Sequence, residues 1–177
     1  MIIGLGHRRG VGKSTIAREM AKLDPRVVLC SFAAPLKAVC CEMFGWAGLQ
    51  NAEFYESHPE MKDILLPDLD IDKTPREIWI EVGMAGRKVH PDCWVRAAFR
   101  GTNSALMIYV FTDLRFPNEA CAIHDRGGEV HNIARVIEKF NDPADSALAK
   151  YNGWDFVHFN NTPEDPKRIA KDILSRL

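Results

Sequence analysis

"GHRRGVGKST", Gly6 to Thr15, follows the apolar run "MIIGL" and leads into a stretch with helical spacing. It ends as a phosphate-binding loop ends, in Gly-Lys-Ser-Thr. The usual pattern sets a first glycine five residues before the Gly-Lys pair. That position is His7 here, and Gly6 stands one residue early. The context is nevertheless the required one. "MIIGL" reads as a buried strand, and Ser14 to Leu23 places Ile16, Ala17, Met20 and Ala21 on one helical face. Glycines let the backbone turn its N–H groups onto phosphate oxygens, and a helix N-terminus adds partial positive charge. Lys13 is expected to reach the β- and γ-phosphates, and Ser14 to hold Mg²⁺. Gly10 and Gly12 supply freedom beside the lysine, so an altered first position need not abolish the cradle. The stretch is therefore expected to bind a nucleoside triphosphate.

Outward from the loop, strands alternate with helices. Asp24-Pro25 ends the first helix, because proline disfavours helical geometry in the residue before it. "RVVLCSF" is a second strand. From Pro35, the residues Leu36, Val39, Cys40, Met43 and Phe44 follow helical spacing, and Gly45 closes the run. Residues 46–73 read as an irregular, mobile insertion. "TPRE" (74–77) starts a helix, with Thr74 as cap, Pro75 in the first turn and Glu77 completing a capping box. "DCWVRAAF" continues as a short helix, and "LMIYVF" (106–111) as a strand buried on both faces. "PNEACAIHDRGG" is a helix with a glycine stop, "EVHNIA" a strand and "DFVHF" the last strand. "TPED" caps a final helix striped with Ile169, Ile173 and Leu177. The pattern predicts one α/β domain over 1–177, a three-layer fold with a central parallel sheet and helices on both faces.

Composition bounds the function. The chain has 177 residues, 46% hydrophobic and 27% charged, with 23 basic and 24 acidic residues and a net charge of −1. Such a balance argues against a nucleic-acid backbone as main partner and for a local cationic pocket that takes a small anion. No apolar run approaches the roughly 18–20 residues of a membrane helix, and "MIIGLG" lacks the pattern of a secretory signal. The five cysteines, Cys30, Cys40, Cys41, Cys93 and Cys121, show no metal-like pairing. They read as reduced core thiols, as in a cytoplasmic protein. The six histidines show no ligand spacing and are assigned no catalytic role. A switch GTPase would carry Asp-x-x-Gly after its magnesium aspartate and an Asn-Lys-x-Asp at the guanine site. Here the corresponding strand ends in "TDLRF", and Asn-Lys-x-Asp does not occur. Motors and DNA-handling ATPases are usually larger, so elimination favours a small kinase.

Four further segments are specific: "SFAAPLK" (31–37), "TPREIWIEVGMAGR" (74–87), "TDLRFPNEA" (112–120) and "FVHFNNTPED" (156–165). Together with the loop, and in this order, they resemble the deoxynucleoside monophosphate kinases of bacteriophages. The resemblance spans most of the chain except about 46–73 and 138–154. It implies the P-loop kinase fold, ATP and Mg²⁺ as cofactors, a deoxynucleoside monophosphate (dNMP) acceptor and a homodimer in the host cytoplasm. It also implies site residues. Gly10, Val11, Gly12, Lys13, Ser14 and Thr15 cradle the ATP phosphates, with Arg8 and Arg9 flanking the γ-phosphate. Asp113 organises the magnesium shell together with Ser14, and Arg115 neutralises phosphate. Lys37, Arg76 and Arg87 lie on the acceptor side. Asn160, Asn161 and Thr162 form the turn beside the adenine, and Arg135 is the arginine after the fourth strand. Phe32 and Trp94 either stack on a base or pack in the core. Asp113 has a rival role as a helix cap, Arg76 as an exposed residue and Lys37 as a surface lysine.

The chemistry fits these residue types. The difficulty in joining two phosphates is charge. Unit charges 4 Å apart repel by about 1 kcal/mol in water and about 4 kcal/mol at an effective dielectric near 20. A cationic, pre-formed site offsets this repulsion. Two departures from the resemblance stand out: His7, and "PADSA" (143–147), where Pro143 and Ser146 replace a His and a Glu. Two alternatives stay open: another phosphorylated acceptor, of the phosphomevalonate or dephospho-coenzyme A type, and a nucleotide-binding regulator without turnover.

Overall fold

Short runs of β-branched and aromatic residues pair into one parallel sheet, as the alternating pattern predicts. The computed structural model describes residues 1–6, 8–68, 70–135 and 147–177. His7, Pro143 and Ser146 lie outside the described residues. The elements are β1 (Ile2–Gly6), α1 (Lys13–Leu23), β2 (Val27–Cys30), α2 (Ala34–Phe44), α3 (Ala52–Ser57), α4 (Pro75–Val89), α5 (Cys93–Ala98), β3 (Ile108–Phe111), α6 (Pro117–His124), β4 (Glu129–Ala134), β5 (Phe156–Phe159) and α7 (Asp165–Leu174). Their contacts group into two compact units. The first comprises Met1–Ser31 with Gly101–Leu177, and the second Phe32–Arg100.

The first unit holds the sheet, in the order β2-β3-β1-β4-β5 and parallel throughout. Because side chains alternate along a strand, each face recruits its own helices. Ile3 and Leu5 of β1 share a core with Ile108, Val110 and Ile133, covered by Ile16, Ala17 and Met20 of α1 and by Ile169, Ala170 and Ile173 of α7. Gly4 faces the other way, against Ile123 of α6 and Leu114. The sheet thus has helices on both sides, the three-layer fold expected. Each fully buried Ile or Val contributes about 1.5–3 kcal/mol, which is why these apolar runs dictate the architecture.

The second unit is helical. The capping box forms as read: Thr74 Oγ1 accepts from the Glu77 N–H at 3.2 Å, and Glu77 Oε2 accepts from the Thr74 N–H at 2.8 Å. Three sequence expectations are corrected. Residues 46–73 are not irregular, since they include α3 and a short 3₁₀ turn, Pro59–Asp63. Ala47, Leu49, Tyr55 and Leu66 bury there with Cys40 and Ile78. Their anchors are too widely spaced to show a period, so only packing against α2 and α4 reveals them. The strand read over 106–111 begins at Ile108, and Leu106 is exposed. Leu177 falls beyond the end of α7 and is also exposed, off the Ile169–Ile173 stripe. No helix among the described residues is long and apolar enough to cross a membrane.

Beneath α7, β4 and β5 bring two imidazoles together. His131 Nδ1 lies 2.9 Å from His158 Nε2, and the rings stack at 5.2 Å. His131 is 0% exposed and also stacks on Phe156. Its Nε2 has no hydrogen-bond partner among the described residues, with Glu129 Oε2 at 3.3 Å. Burial first, then the neighbouring His158 and Arg176, push the His131 pKa down to about 4, against the opposing pull of Asp155 and Asp172. The His158 pKa is also lowered, mainly by burial. Between the folded and unfolded values the unfolded chain binds more protons, so stability rises with pH. From His131 alone, stability should be full above about pH 6.5 and fall by about 2 kcal/mol from pH 7 to pH 5. Urea unfolding at the two pH values measures it, and His131→Phe should flatten the dependence.

Candidate functional site

The parallel pairing of β1 with β3 decides what stands beside the glycine loop. Gly4 pairs with Phe111, so the chain leaving β1 and the chain leaving β3 emerge side by side at the carboxyl edge of the sheet. The first enters the loop, and the second reaches Asp113 two residues later. β2 flanks β3 with Cys30 opposite Phe111, which brings Ser31 to the same edge. Ser31 Oγ donates to Asp113 Oδ2 at 2.6 Å, and the Thr112 N–H donates to the Cys30 carbonyl at 3.1 Å.

The loop has the backbone that its glycines allow. Gly10 and Gly12 have φ of +78° and +90°, a region that L side chains rarely adopt. Gly12 also caps α1, which begins with no side-chain cap and no acidic residue in its first turn. Its amide end therefore suits an anion. Lys13 is only 8% exposed, and its ammonium folds back over the loop to donate to the Arg8 carbonyl. Ser14, Thr15, Arg8 and Arg9 are exposed.

Asn160, at the end of β5, anchors the loop from behind. It is 4% exposed, and its Nδ2 donates to the Val11 carbonyl at 2.7 Å. A methyl group on Gly12 would collide with that same amide nitrogen. Asn161, the neighbour assigned to ATP, is exposed, and its N–H donates to Asp165 Oδ2 at 2.8 Å, as does the N–H of Thr162. The turn is thus capped by Asp165 from inside α7, whose carboxyl is pulled down to about 2 by hydrogen bonds from Arg168 first and then from these amides. Beside this turn, Thr15, Glu19, Pro163, Glu164, Pro166 and Lys167 line a groove of about 350 Å³.

The cap of α6 is not Asp113. Glu119, 2% exposed, accepts from the N–H groups of Arg115 at 2.8 Å and Phe116 at 3.1 Å. Arg115 is half-buried, and Arg135 is exposed at the end of β4.

Lys37, Arg76 and Arg87, expected on the acceptor side, belong to the second unit. Lys37 Nζ sits 5.1 Å from the centre of the Trp79 ring. Arg76 forms a fork onto Asp63, Nε to Oδ1 at 2.5 Å and Nη2 to Oδ2 at 3.0 Å. Arg87 is half-buried near the end of α4. The two aromatics pack inward. Phe32 is 2% exposed and meets Phe99 edge-on at 5.7 Å. Trp94 donates to the Gly83 carbonyl at 3.0 Å and lies so close over Gly86 that a methyl there would come within 2.7 Å of the ring.

The sequence reading did not single out Ser31, Asp63 or Glu119. The Ser31–Asp113 bond spans 82 residues, a separation at which no local signal exists. Glu119 had a weak one, an acid three residues into a helix opened by proline.

No protein-family model matches the chain, and no curated protein matches it in sequence. Among solved structures, TT1252 from Thermus thermophilus is similar, with 19% identity, a TM-score of 0.50, and 100% of this chain and 97% of that one covered. A shikimate kinase from Bacteroides thetaiotaomicron has 12% identity and a TM-score of 0.44, with 100% and 99% covered. At 19% identity the likeness to TT1252 is one of fold.

Gly12→Ala should combine left-handed strain of about 1–2 kcal/mol with the Asn160 collision, and lower the midpoint of denaturant unfolding. Asn160→Ala should cost about 1–3 kcal/mol in denaturant unfolding, because the Val11 carbonyl loses its donor. Asn161→Ala, with an exposed side chain, should shift stability by less than about 0.5 kcal/mol.

Proposed function

We propose that the chain is a P-loop kinase that transfers the γ-phosphoryl group of ATP to a deoxynucleoside 5′-monophosphate. The observation that carries this reading is the loop itself: Gly10 and Gly12 in left-handed geometry, Lys13 turned over them, and Asp113 at the neighbouring strand end. The acceptor class rests on the resemblance of segments 31–37, 74–87, 112–120 and 156–165. Both compact units are read as serving one functional domain.

In this reading the loop amides and Lys13 hold the β- and γ-phosphates, with Arg8, Arg9 and Arg115 adding positive charge. The groove beside Asn161 and Thr15 takes the adenine. Lys37, Arg76, Arg87 and Arg135 neutralise the acceptor, Arg76 exchanging Asp63 for phosphate. Trp94 and Phe32, as packed, shape the second unit from within rather than stack on a base. The donor set at the loop fits magnesium: a Ser14 hydroxyl and an Asp113 carboxylate are hard oxygen ligands, few enough to leave places for phosphate oxygens and water. Bound there, Mg²⁺ would neutralise charge on the β- and γ-phosphates. An oxygen of the acceptor phosphate, already ionised near neutral pH, forms the new bond to the γ-phosphorus. The bond from that phosphorus to the β–γ bridging oxygen breaks, and ADP leaves with the electron pair. No strong general base is needed, and the work of the site is positioning and charge.

Release of ADP from Mg-ATP, measured against dAMP, dCMP, dGMP, dTMP, their ribose counterparts and phosphomevalonate, tests the reading. Turnover with at least one deoxynucleotide is expected. Turnover with phosphomevalonate alone would move the acceptor class, and ATP binding without any turnover would make the protein a nucleotide-binding regulator. Lys13→Ala should lower kcat by at least roughly 10²-fold, the scale of losing one donor to developing charge. An unchanged kcat would remove Lys13 from the catalytic set.

A further inference from the structure

Asp113 is held by a side chain that the reaction scheme does not use. Ser31 Oγ donates to its Oδ2 at 2.6 Å, a short charge-assisted hydrogen bond from the end of β2 to the end of β3. The strand ends do not need this bond to stay together. The Thr112 N–H already donates to the Cys30 carbonyl at 3.1 Å, and its hydroxyl lies 3.5 Å from the same oxygen. What Ser31 adds is orientation: a hydroxyl fixed on one carboxylate oxygen sets the rotation of the group.

We propose that Ser31 is a positioning residue for magnesium, acting through Asp113, and that this is why a serine directly follows β2. The inference rests on the kinase reading and assigns one residue within it. A carboxylate that acts on a metal shell loses effectiveness when its own hydrogen-bond partner is removed, typically 10–100-fold in metal affinity or activity. A serine that merely tied the strands would instead loosen the whole edge, with or without metal.

The experiment is calorimetric titration of a non-hydrolysable ATP analogue into the full chain, in EDTA and over a range of MgCl₂ concentrations. It compares the wild type, Ser31→Ala, Ser31→Thr and Asp113→Asn, with unfolding midpoints measured alongside. Ser31→Ala should raise the Mg²⁺ concentration for half-maximal tightening by about 10-fold, with affinity in EDTA and the unfolding midpoint near wild type. Ser31→Thr, which keeps the hydroxyl, should restore the wild-type response. An equal loss of affinity with and without Mg²⁺ would overturn the proposal, leaving Ser31 a strand tie. Retention of the wild-type Mg²⁺ response by Ser31→Ala, while Asp113→Asn loses it, would overturn the role of Ser31 alone. If the wild type does not bind the analogue, the kinase reading falls and this inference with it.

Discussion

β1 hydrogen-bonds to β3 on one side and β4 on the other, and the functional geometry follows from that central place. A parallel strand between two others has both ladders satisfied and both faces covered, so its carboxyl end is its only free exit. The chain must leave β1 at the edge where β3 also ends. That puts the glycine loop and Asp113 side by side without any local sequence linking them. Ligands of open parallel sheets gather at such edges, where successive connections depart to opposite sides. Here β1 leads towards β2 on one side, while β3 crosses over to β4 on the other.

Three polar side chains then fix this edge. Asn160 holds the loop through the Val11 carbonyl, Ser31 holds Asp113, and Glu119 holds the amides of Arg115 and Phe116. Asn160 and Glu119 are almost wholly buried, where an unmatched donor or acceptor is costly. Each is matched to backbone in a neighbouring turn. Together these bonds brace the loop, Asp113 and the turn that follows it.

The second unit treats its cations differently. Arg76 is engaged by Asp63, and Lys37 rests over Trp79. Asp63 is half exposed, so that ion pair is screened by solvent and contributes little to stability. A planar carboxylate in a guanidinium fork has the same bidentate geometry that a phosphate would use. Trp94, by contrast, is committed to α4, its indole hydrogen-bonded to Gly83 and lying over Gly86.

Periodicity and turn chemistry were enough to read the alternating elements, the parallel α/β class, the capping box at Thr74 and the glycine turn ahead of α1. All are set by contacts within a few residues, where apolar spacing and glycine or proline placement leave a direct mark. The helices within 46–73, the cap of α6 by Glu119, the Asn160 anchor and the Ser31–Asp113 bond were not legible there. Their partners lie in other elements, up to 149 residues away for Asn160 and Val11. A polar side chain carries no periodic signal that names such a partner. The sequence by itself determined most of the strands and helices and the place of the glycine turn ahead of α1, because backbone sterics and burial act locally. Only the tertiary structure decided how the loop and Asp113 are braced, because strand order, not chain order, chooses the neighbours of each strand end.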